Sequence, residues 1–140
     1  MLPNREKDRT YSERMSACMK AVKRILLCGK DPKNVLVQLA RQLSLAGVPV
    51  ILGGRCYDRI VCDIANVMPD IVVISNISDA EKAEDFLSRR GSLPKDPFFI
   101  FTTCRRDIYE NMTRTLRHGF YIAMEPLNMP FIREIIKRQI

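Results

Sequence analysis

Hydrophobic positions in this chain form short continuous runs that alternate with stretches of helical spacing. The continuous runs predict strands, and most of them read as buried on both faces; they cover residues 25–28, 48–52, 70–75, 98–102 and 120–124. Pro49 indicates that the second strand lies at the edge of its sheet, because proline cannot donate a hydrogen bond to a neighbouring strand. Strands and helices that alternate through short loops predict a parallel sheet covered on both faces.

Five helices are predicted from apolar residues at intervals of three and four. The first is expected to begin at Asp31 and Pro32, with the aspartate as cap and the proline in the first turn, and to end at Gly47. The others are predicted over residues 57–67, 79–90, 108–118 and 131–140. The third of these five helices is mostly polar.

The domain organisation predicted from this pattern is a leading segment followed by one compact unit. Residues 1–22 are expected to form a basic, helical N-terminal extension, and residues 23–140 a single domain. The apolar stripe of the extension is weak. We favour a helix packed on the domain or a frayed leader over a dimerisation or partner helix, and the oligomeric state stays open.

Charge and composition narrow the class of protein without naming a partner. The formal net charge is +7, and residues 1–24 hold seven basic against three acidic side chains. A basic surface favours an acidic partner, which leaves nucleic acid, membrane and protein open. The polar N-terminus and the lack of an apolar run near 20 residues predict a cytoplasmic chain without a membrane span. The five cysteines, with no CxxC spacing, argue against a disulfide framework and a zinc ribbon.

Three segments carry a family resemblance. Residues 69–75 read Pro-Asp followed by four apolar residues and Ser75, residues 97–102 end a strand at Thr102, and Glu125 precedes a proline after the fifth strand. In this order and at this spacing they resemble a response-regulator receiver domain over residues 24–140. The resemblance implies a flavodoxin-like five-stranded parallel sheet of order 2-1-3-4-5 with helices on both faces. It also implies a partner surface formed by the fourth helix, fifth strand and fifth helix.

The same resemblance implies that the phosphorylation chemistry has been lost. Ser75 stands at the position of the phosphate-accepting aspartate, and Gly29, Lys30 and Asp31 occupy the region of the acidic magnesium ligands. Glu125 stands in place of the lysine that pairs with phosphate. An acyl phosphate requires a carboxylate nucleophile, and magnesium requires oxygen ligands. We therefore expect no catalytic residue, no metal and no cofactor, and a Ser75 hydroxyl that is hydrogen-bonded locally.

Two further positions concern switching. Thr102 corresponds to the threonine that phosphate draws inward in ordinary receivers, and Tyr121 corresponds to the aromatic residue that rotates. Relative to the receiver pattern, a lysine (Lys30) stands where an acidic residue is expected, and a glutamate (Glu125) stands where a lysine is expected. This double substitution prompts the hypothesis that the two residues form an ion pair where magnesium and phosphate would otherwise bind. The function predicted is a degenerate receiver-like signalling domain, not an enzyme, that acts by protein–protein interaction in two-component-type regulation.

Two alternatives stay open at this point. Cys28 ends the first strand before a helix, as the phosphate-carrying cysteine does in sugar-phosphotransferase IIB subunits, so the chain is a candidate phosphocysteine carrier. The second alternative is nucleic-acid binding through basic residues in and around the last two helices, Arg105, Arg106, Arg114, Arg117, His118, Arg133, Lys137 and Arg138. No nucleic-acid-binding motif supports that second interpretation, and a solvated basic face is the commoner case.

Overall fold

The architecture of the chain is a five-stranded parallel sheet with helices on both faces. The computed structural model describes residues 24–89, 93, 95–115 and 120–139. Its elements, in chain order, are β1 (Ile25–Gly29), α1 (Val35–Leu45), β2 (Val50–Leu52), α2 (Tyr57–Val67), β3 (Ile71–Ser75), α3 (Ala80–Ser88), β4 (Phe98–Thr103), α4 (Arg106–Thr115), β5 (Phe120–Met124) and α5 (Met129–Gln139). The predicted extension over residues 1–22 and the predicted end of the fourth helix near His118 lie outside the described residues.

The strand order is β2-β1-β3-β4-β5, and each neighbouring pair is parallel. This confirms the predicted flavodoxin-like arrangement and places β2 at an edge, as Pro49 indicated. The edge strand is shorter than predicted, because it begins at Val50 and not at Val48. Its side chains are also less buried than those of β1 and β3, and Leu52 is 64% exposed.

Two hydrophobic clusters, one on each face of the sheet, hold the layers together. Alternate residues of β1, β3 and β4 pack on one face against α2, α3 and α4, and the remaining residues pack on the other face against α1 and α5. This division follows from the strand geometry, since successive side chains point to opposite faces. A strand that is covered on both faces needs a continuous apolar run, which explains the fully buried segments at Ile25–Gly29 and Ile71–Ser75.

Helix α1 begins later than the sequence predicted. Asp31 and Pro32 were expected to cap and start it, but a turn at residues 32–33 intervenes, Asn34 has a left-handed φ of 56°, and the helix starts at Val35. The carboxylate of Asp31 nevertheless accepts hydrogen bonds from the backbone N–H of Leu36 at 3.0 Å and of Val37 at 3.4 Å. Asp31 therefore caps α1 from within the preceding loop, satisfying N–H groups that the first helical turn leaves unpaired.

Helix α3 ends two residues before the predicted limit of 90, and its N-terminus is well defined. The Asp79 side chain accepts a hydrogen bond from the N–H of Glu81 at 2.8 Å. The buried residues Ala83, Phe86 and Leu87 hold this mostly polar helix on the sheet. Helix α5 begins at Met129, two residues earlier than predicted. No helix within the described residues is long and apolar enough to cross a lipid bilayer.

Candidate functional site

The carboxyl ends of β1 and β3 meet in a close backbone approach. Gly29 pairs with Ser75 in the parallel ladder and has a positive φ of 103°. A Cβ at Gly29 would lie 2.7 Å from the Ser75 carbonyl oxygen and 2.9 Å from its backbone nitrogen. The Ser75 side chain is buried, and its hydroxyl donates a 2.5 Å hydrogen bond to the carbonyl of Lys30. Only glycine fits at position 29, and its neighbour Ser75 ties the two loops together.

A second set of contacts joins the ends of β3, β4 and β5. The Thr102 hydroxyl, which is fully buried, donates to Oε2 of Glu125 at 2.7 Å. The backbone N–H of Asn76 approaches both acceptors, at 3.0 Å from the Thr102 hydroxyl oxygen and 3.2 Å from Glu125 Oε2. One carboxylate oxygen of Glu125 is therefore held by a hydroxyl and an amide at the end of the sheet. Charge-assisted hydrogen bonds of this kind are stronger than neutral ones.

The loop after β3 is shaped to make these contacts. Asn76 has a φ of 53°, a left-handed conformation that asparagine tolerates better than most residues. The next residue, Ile77, donates its N–H to the carbonyl of Thr102 at 2.7 Å. The Cys104 thiol lies 3.5 Å from the side-chain oxygen of Asn76. The chain leaving β3 is thus fastened over the end of β4, which directs the Asn76 N–H toward Thr102 and Glu125.

The hypothesis of an ion pair between Lys30 and Glu125 is wrong. Within the described residues Lys30 forms no ion pair, and the Glu125 carboxylate contacts Thr102 and Asn76 instead. The strand order gives the physical reason. Lys30 follows β1 and Glu125 follows β5, and three strand spacings of about 4.8 Å put roughly 14 Å between these strands.

Asp31, the carboxylate nearest the end of β1, accepts hydrogen bonds from the first turn of α1. One of its oxygens receives the two N–H groups of the first helical turn, and the other, Oδ1, is buried without a hydrogen-bond partner. Among the residues that the structure describes, no group of three or more His, Cys, Asp or Glu side chains is arranged to hold a metal ion. The strand ends instead present a glycine, a lysine, hydroxyls and one hydrogen-bonded glutamate.

Cys28, the candidate phosphate carrier, is enclosed in the core. Its side chain is 1% exposed, and the thiol contacts the carbonyl oxygen of Val73 at 3.5 Å. Burial, and to a lesser extent the charge of Asp63, raise the pKa of the Cys28 thiol well above its ordinary value. A buried thiol that stays protonated is a poor nucleophile, so the geometry argues against the carrier interpretation. Pro32 and the late start of α1 also remove the helix N-terminus that would have activated Cys28.

Tyr121 lies on β5, beside a groove between α4 and α5. Its ring centroid is 5.9 Å from that of Phe131, which is 48% exposed. The groove has a volume of about 210 Å³, and Tyr109, Tyr121 and Phe131 contribute its aromatic walls. Burial, followed by the neighbouring Tyr109, raises the pKa of the Tyr121 phenol. The predicted switch aromatic therefore forms part of a concave, partly apolar surface.

Four basic residues on or beside α4 and α5 are paired with neighbouring polar side chains. Arg105 binds Asp107 at 2.6 Å, Arg106 binds Glu110 at 3.4 Å, and Lys137 lies 4.0 Å from Glu134. Arg133 donates to Gln42 at 3.5 Å. Arg117 and His118 lie outside the described residues. Ion pairs reduce the charge that these helices offer to an acidic partner, and nucleic-acid binding stays an untested alternative.

One feature of the strand ends was missed at the level of the sequence. A cavity of about 260 Å³ opens beyond β1 and β3, and the cations Lys30, Arg55 and Lys82 line it. Lys30 and Arg55 were visible as basic residues after adjacent strands. Lys82 was not, because it belongs to α3, and only the packing of that helix brings it to the cavity.

Comparison with known proteins defines the class of fold. The chain is similar to the crystal structure of a response regulator receiver domain protein (CheY-like) from Methanospirillum hungatei JF-1, with a TM-score of 0.60 and 19% sequence identity. The similarity covers 84% of this chain and 93% of that one. No protein-family model matches the chain, and no curated protein matches it. The fold is therefore that of a CheY-like receiver domain, as the resemblance in the sequence implied.

Proposed function

We propose that this chain is a receiver-like signalling domain that acts by protein–protein interaction and is not phosphorylated on an aspartate. The observation that supports this most directly is the placement of Glu125. Its carboxylate oxygen accepts hydrogen bonds from the Thr102 hydroxyl and the Asn76 N–H, at the strand ends where the receiver resemblance implies a phosphoryl group. In this proposal a side chain of the protein replaces the anion that ordinary receivers acquire by phosphorylation.

The remaining strand-end residues agree with this proposal. Ser75 lies where an aspartate would be needed, and its hydroxyl is committed to the Lys30 carbonyl. The loop after the neighbouring strand β1 carries Lys30, a cation that repels magnesium. Asp31 in the same loop is turned toward α1. The domain would then have no catalytic role of its own, and it would belong to two-component-type regulation in the cytoplasm.

The proposal has a structural consequence for switching. Phosphate draws the threonine inward in ordinary receivers, whereas here the buried Thr102 hydroxyl already donates a 2.7 Å hydrogen bond to Glu125. A ligand shifts a conformational equilibrium only by its differential affinity for the two states. The surface of α4, β5 and α5 would therefore stay in one state until a protein partner binds it, and the groove beside Tyr121 is the part of that surface best shaped for contact.

The test of lost phosphorylation is calorimetry with magnesium and beryllofluoride, a phosphoryl analogue, followed by incubation with a small-molecule phosphodonor. We expect no magnesium-dependent heat and no added phosphate, because Ser75 stands at the acceptor position and the Asp31 carboxylate is engaged by α1. An active receiver measured in the same buffer is the positive control. Saturable beryllofluoride binding that requires magnesium would contradict the proposal.

A further inference from the structure

The cavity beyond β1 and β3 has an unusual charge for the edge where receivers hold a cation. Its volume is about 260 Å³, and it lies between the first turns of α2 and α3. The side chains that matter are three cations, Lys30, Arg55 and Lys82, and one carboxylate, Asp79. Glu125 is not among the residues that line the cavity. The wall therefore carries a net charge of about +2 at neutral pH.

The three cationic side chains are available to bind an anion, whereas the Asp79 carboxylate already accepts a hydrogen bond. Within the described residues Lys30, Arg55 and Lys82 form no ion pair or side-chain hydrogen bond, although other basic residues of the chain do. Asp79 accepts the hydrogen bond from Glu81 that caps α3. Like charges gathered around one concavity repel one another, and a bound anion would remove that repulsion.

Backbone and apolar groups complete the cavity. Helix α2 has 11 residues, and its N-cap residue Cys56 makes no side-chain hydrogen bond, so no side chain of that residue covers the first N–H groups. Those groups carry the positive end of the helix dipole and favour phosphate. Tyr57 and Phe86, whose ring centroids are 4.7 Å apart, supply an apolar wall. Ser78 adds a hydroxyl.

We propose that this cavity binds a small phosphate-bearing molecule, with the phosphate seated among Lys30, Arg55 and Lys82. A phosphate group carries nearly two negative charges at neutral pH and several acceptor oxygens, which match the three cations that line the cavity better than a single carboxylate does. The volume suits a phosphate with a small organic group against Tyr57, and it is slightly below the range of about 300–1,000 Å³ usual for small-molecule sites. This inference does not depend on the proposed function, since it requires neither a protein partner nor the loss of phosphorylation.

The experiment is titration calorimetry of the full chain at low ionic strength with inorganic phosphate, pyrophosphate and adenosine monophosphate as separate probes. Low salt is required because ions screen exposed charges. We expect saturable binding of at least one probe at millimolar concentrations or below. Binding of pyrophosphate alone would support a site for free phosphates, and tighter binding of the nucleotide would support an organic phosphate ester. No saturable binding of any probe would overturn the proposal.

Variants distinguish specific binding in the cavity from non-specific attraction of an anion to a basic protein. Lys30→Gln, Arg55→Gln and Lys82→Gln each remove one cation from the cavity, and we expect each to weaken binding by about tenfold. Lys33→Gln is the matched control, because Lys33 is exposed in the same loop as Lys30 but does not line the cavity. Equal losses in Lys33→Gln and Lys82→Gln would show non-specific binding and overturn the site. All four residues are exposed, and thermal melts verify that each variant is folded.

Discussion

Glu125 is the residue whose role depends most on its immediate contacts. It follows β5 and contributes one oxygen to the buried Thr102 hydroxyl and to the Asn76 N–H. The sequence indicated that a carboxylate replaces the expected lysine, but it did not indicate the partner of that carboxylate. A buried hydroxyl must find an acceptor, and this requirement explains why Glu125 turns toward β4 and not toward solvent.

Replacement of Glu125 by alanine should destabilise the fold. The change leaves the Thr102 hydroxyl without its acceptor in a fully buried position, so we expect the free energy of unfolding to fall by about 1–3 kcal/mol. Urea denaturation monitored by circular dichroism measures the change. Glu110→Ala is the control, because Glu110 forms only an exposed ion pair with Arg106, which contributes about 0–1 kcal/mol. Equal stability of the two variants would mean that the Glu125 contact is not formed in solution.

Cys28 allows a second test at the residue scale. Because burial raises the pKa of its thiol, Cys28 stays protonated and inaccessible at neutral pH, whereas Cys56, Cys62 and Cys104 are exposed. We expect an alkylating reagent to label these three cysteines in the native chain and to leave Cys28 unmodified until the protein unfolds. Peptide mass mapping gives the extent of labelling at each position. Labelling of Cys28 as fast as Cys104 would show that the strand end is open and would restore the carrier interpretation.

At the scale of the elements, the close pairing of β1 with β3 fixes the positions of the loops that follow these two strands. Gly29 and Ser75 end these two strands opposite each other, and the loops that leave them carry Lys30 and Asn76. The hydrogen bond from Ser75 to the Lys30 carbonyl and the bond from Ile77 to the Thr102 carbonyl fasten these loops to neighbouring strands. The geometry of the strand ends is therefore set by backbone contacts as much as by functional side chains.

Gly29→Ala should disrupt this pairing. Both Gly29 and Gly47 have positive φ, but a Cβ at Gly29 meets the Ser75 backbone at 2.7 Å while a Cβ at Gly47 meets nothing within 4 Å. Gly47→Ala therefore reports the conformational cost alone, roughly 1 kcal/mol, and Gly29→Ala should cost about 1–3 kcal/mol more through the clash. Thermal or urea unfolding compares the two. Matching stabilities would indicate that β1 and β3 separate without cost at this point.

At the scale of the whole molecule, two of the concave surfaces formed by the described residues differ in chemistry. The cavity beyond β1 and β3 is lined by cations, and the groove between α4 and α5 is walled by Tyr109, Tyr121 and Phe131. We propose that the first binds a small anion and that the second contacts a protein partner. They involve different helices, so ligand binding and partner binding can be tested separately.

Phe131→Ala tests the partner surface. Phe131 is 48% exposed and borders the groove, and exposed aromatic residues in such positions contribute strongly to protein interfaces. We expect a partner captured from the native organism by the unmodified chain to be lost with this variant. Val37→Ala on α1 is the control, since Val37 is 52% exposed and does not line the groove. Retention of the same partner by Phe131→Ala, or its loss with Val37→Ala, would argue against this surface.

Most of the fold was predictable because the hydrophobic pattern is local. Continuous apolar runs identified the buried strands, Pro49 identified the edge strand, and helical spacing identified five helices. The predicted start of α1 was wrong because residues with helix-start composition lie in the preceding loop. Asp31 and Pro32 have the composition of a helix start, but the turn after β1 uses them first, and Asp31 caps α1 from outside the helix.

The sequence by itself determined the strands, the helices and the residue types at each strand end, because these depend on the order of side chains along the chain. The tertiary structure alone decided which of those residues meet. Since β1 lies between β2 and β3, Lys30, Arg55 and Lys82 share one cavity, while Glu125 is too far from Lys30 and binds Thr102. Lateral strand order and helix packing are non-local, so residues distant in sequence become neighbours only when the sheet is assembled.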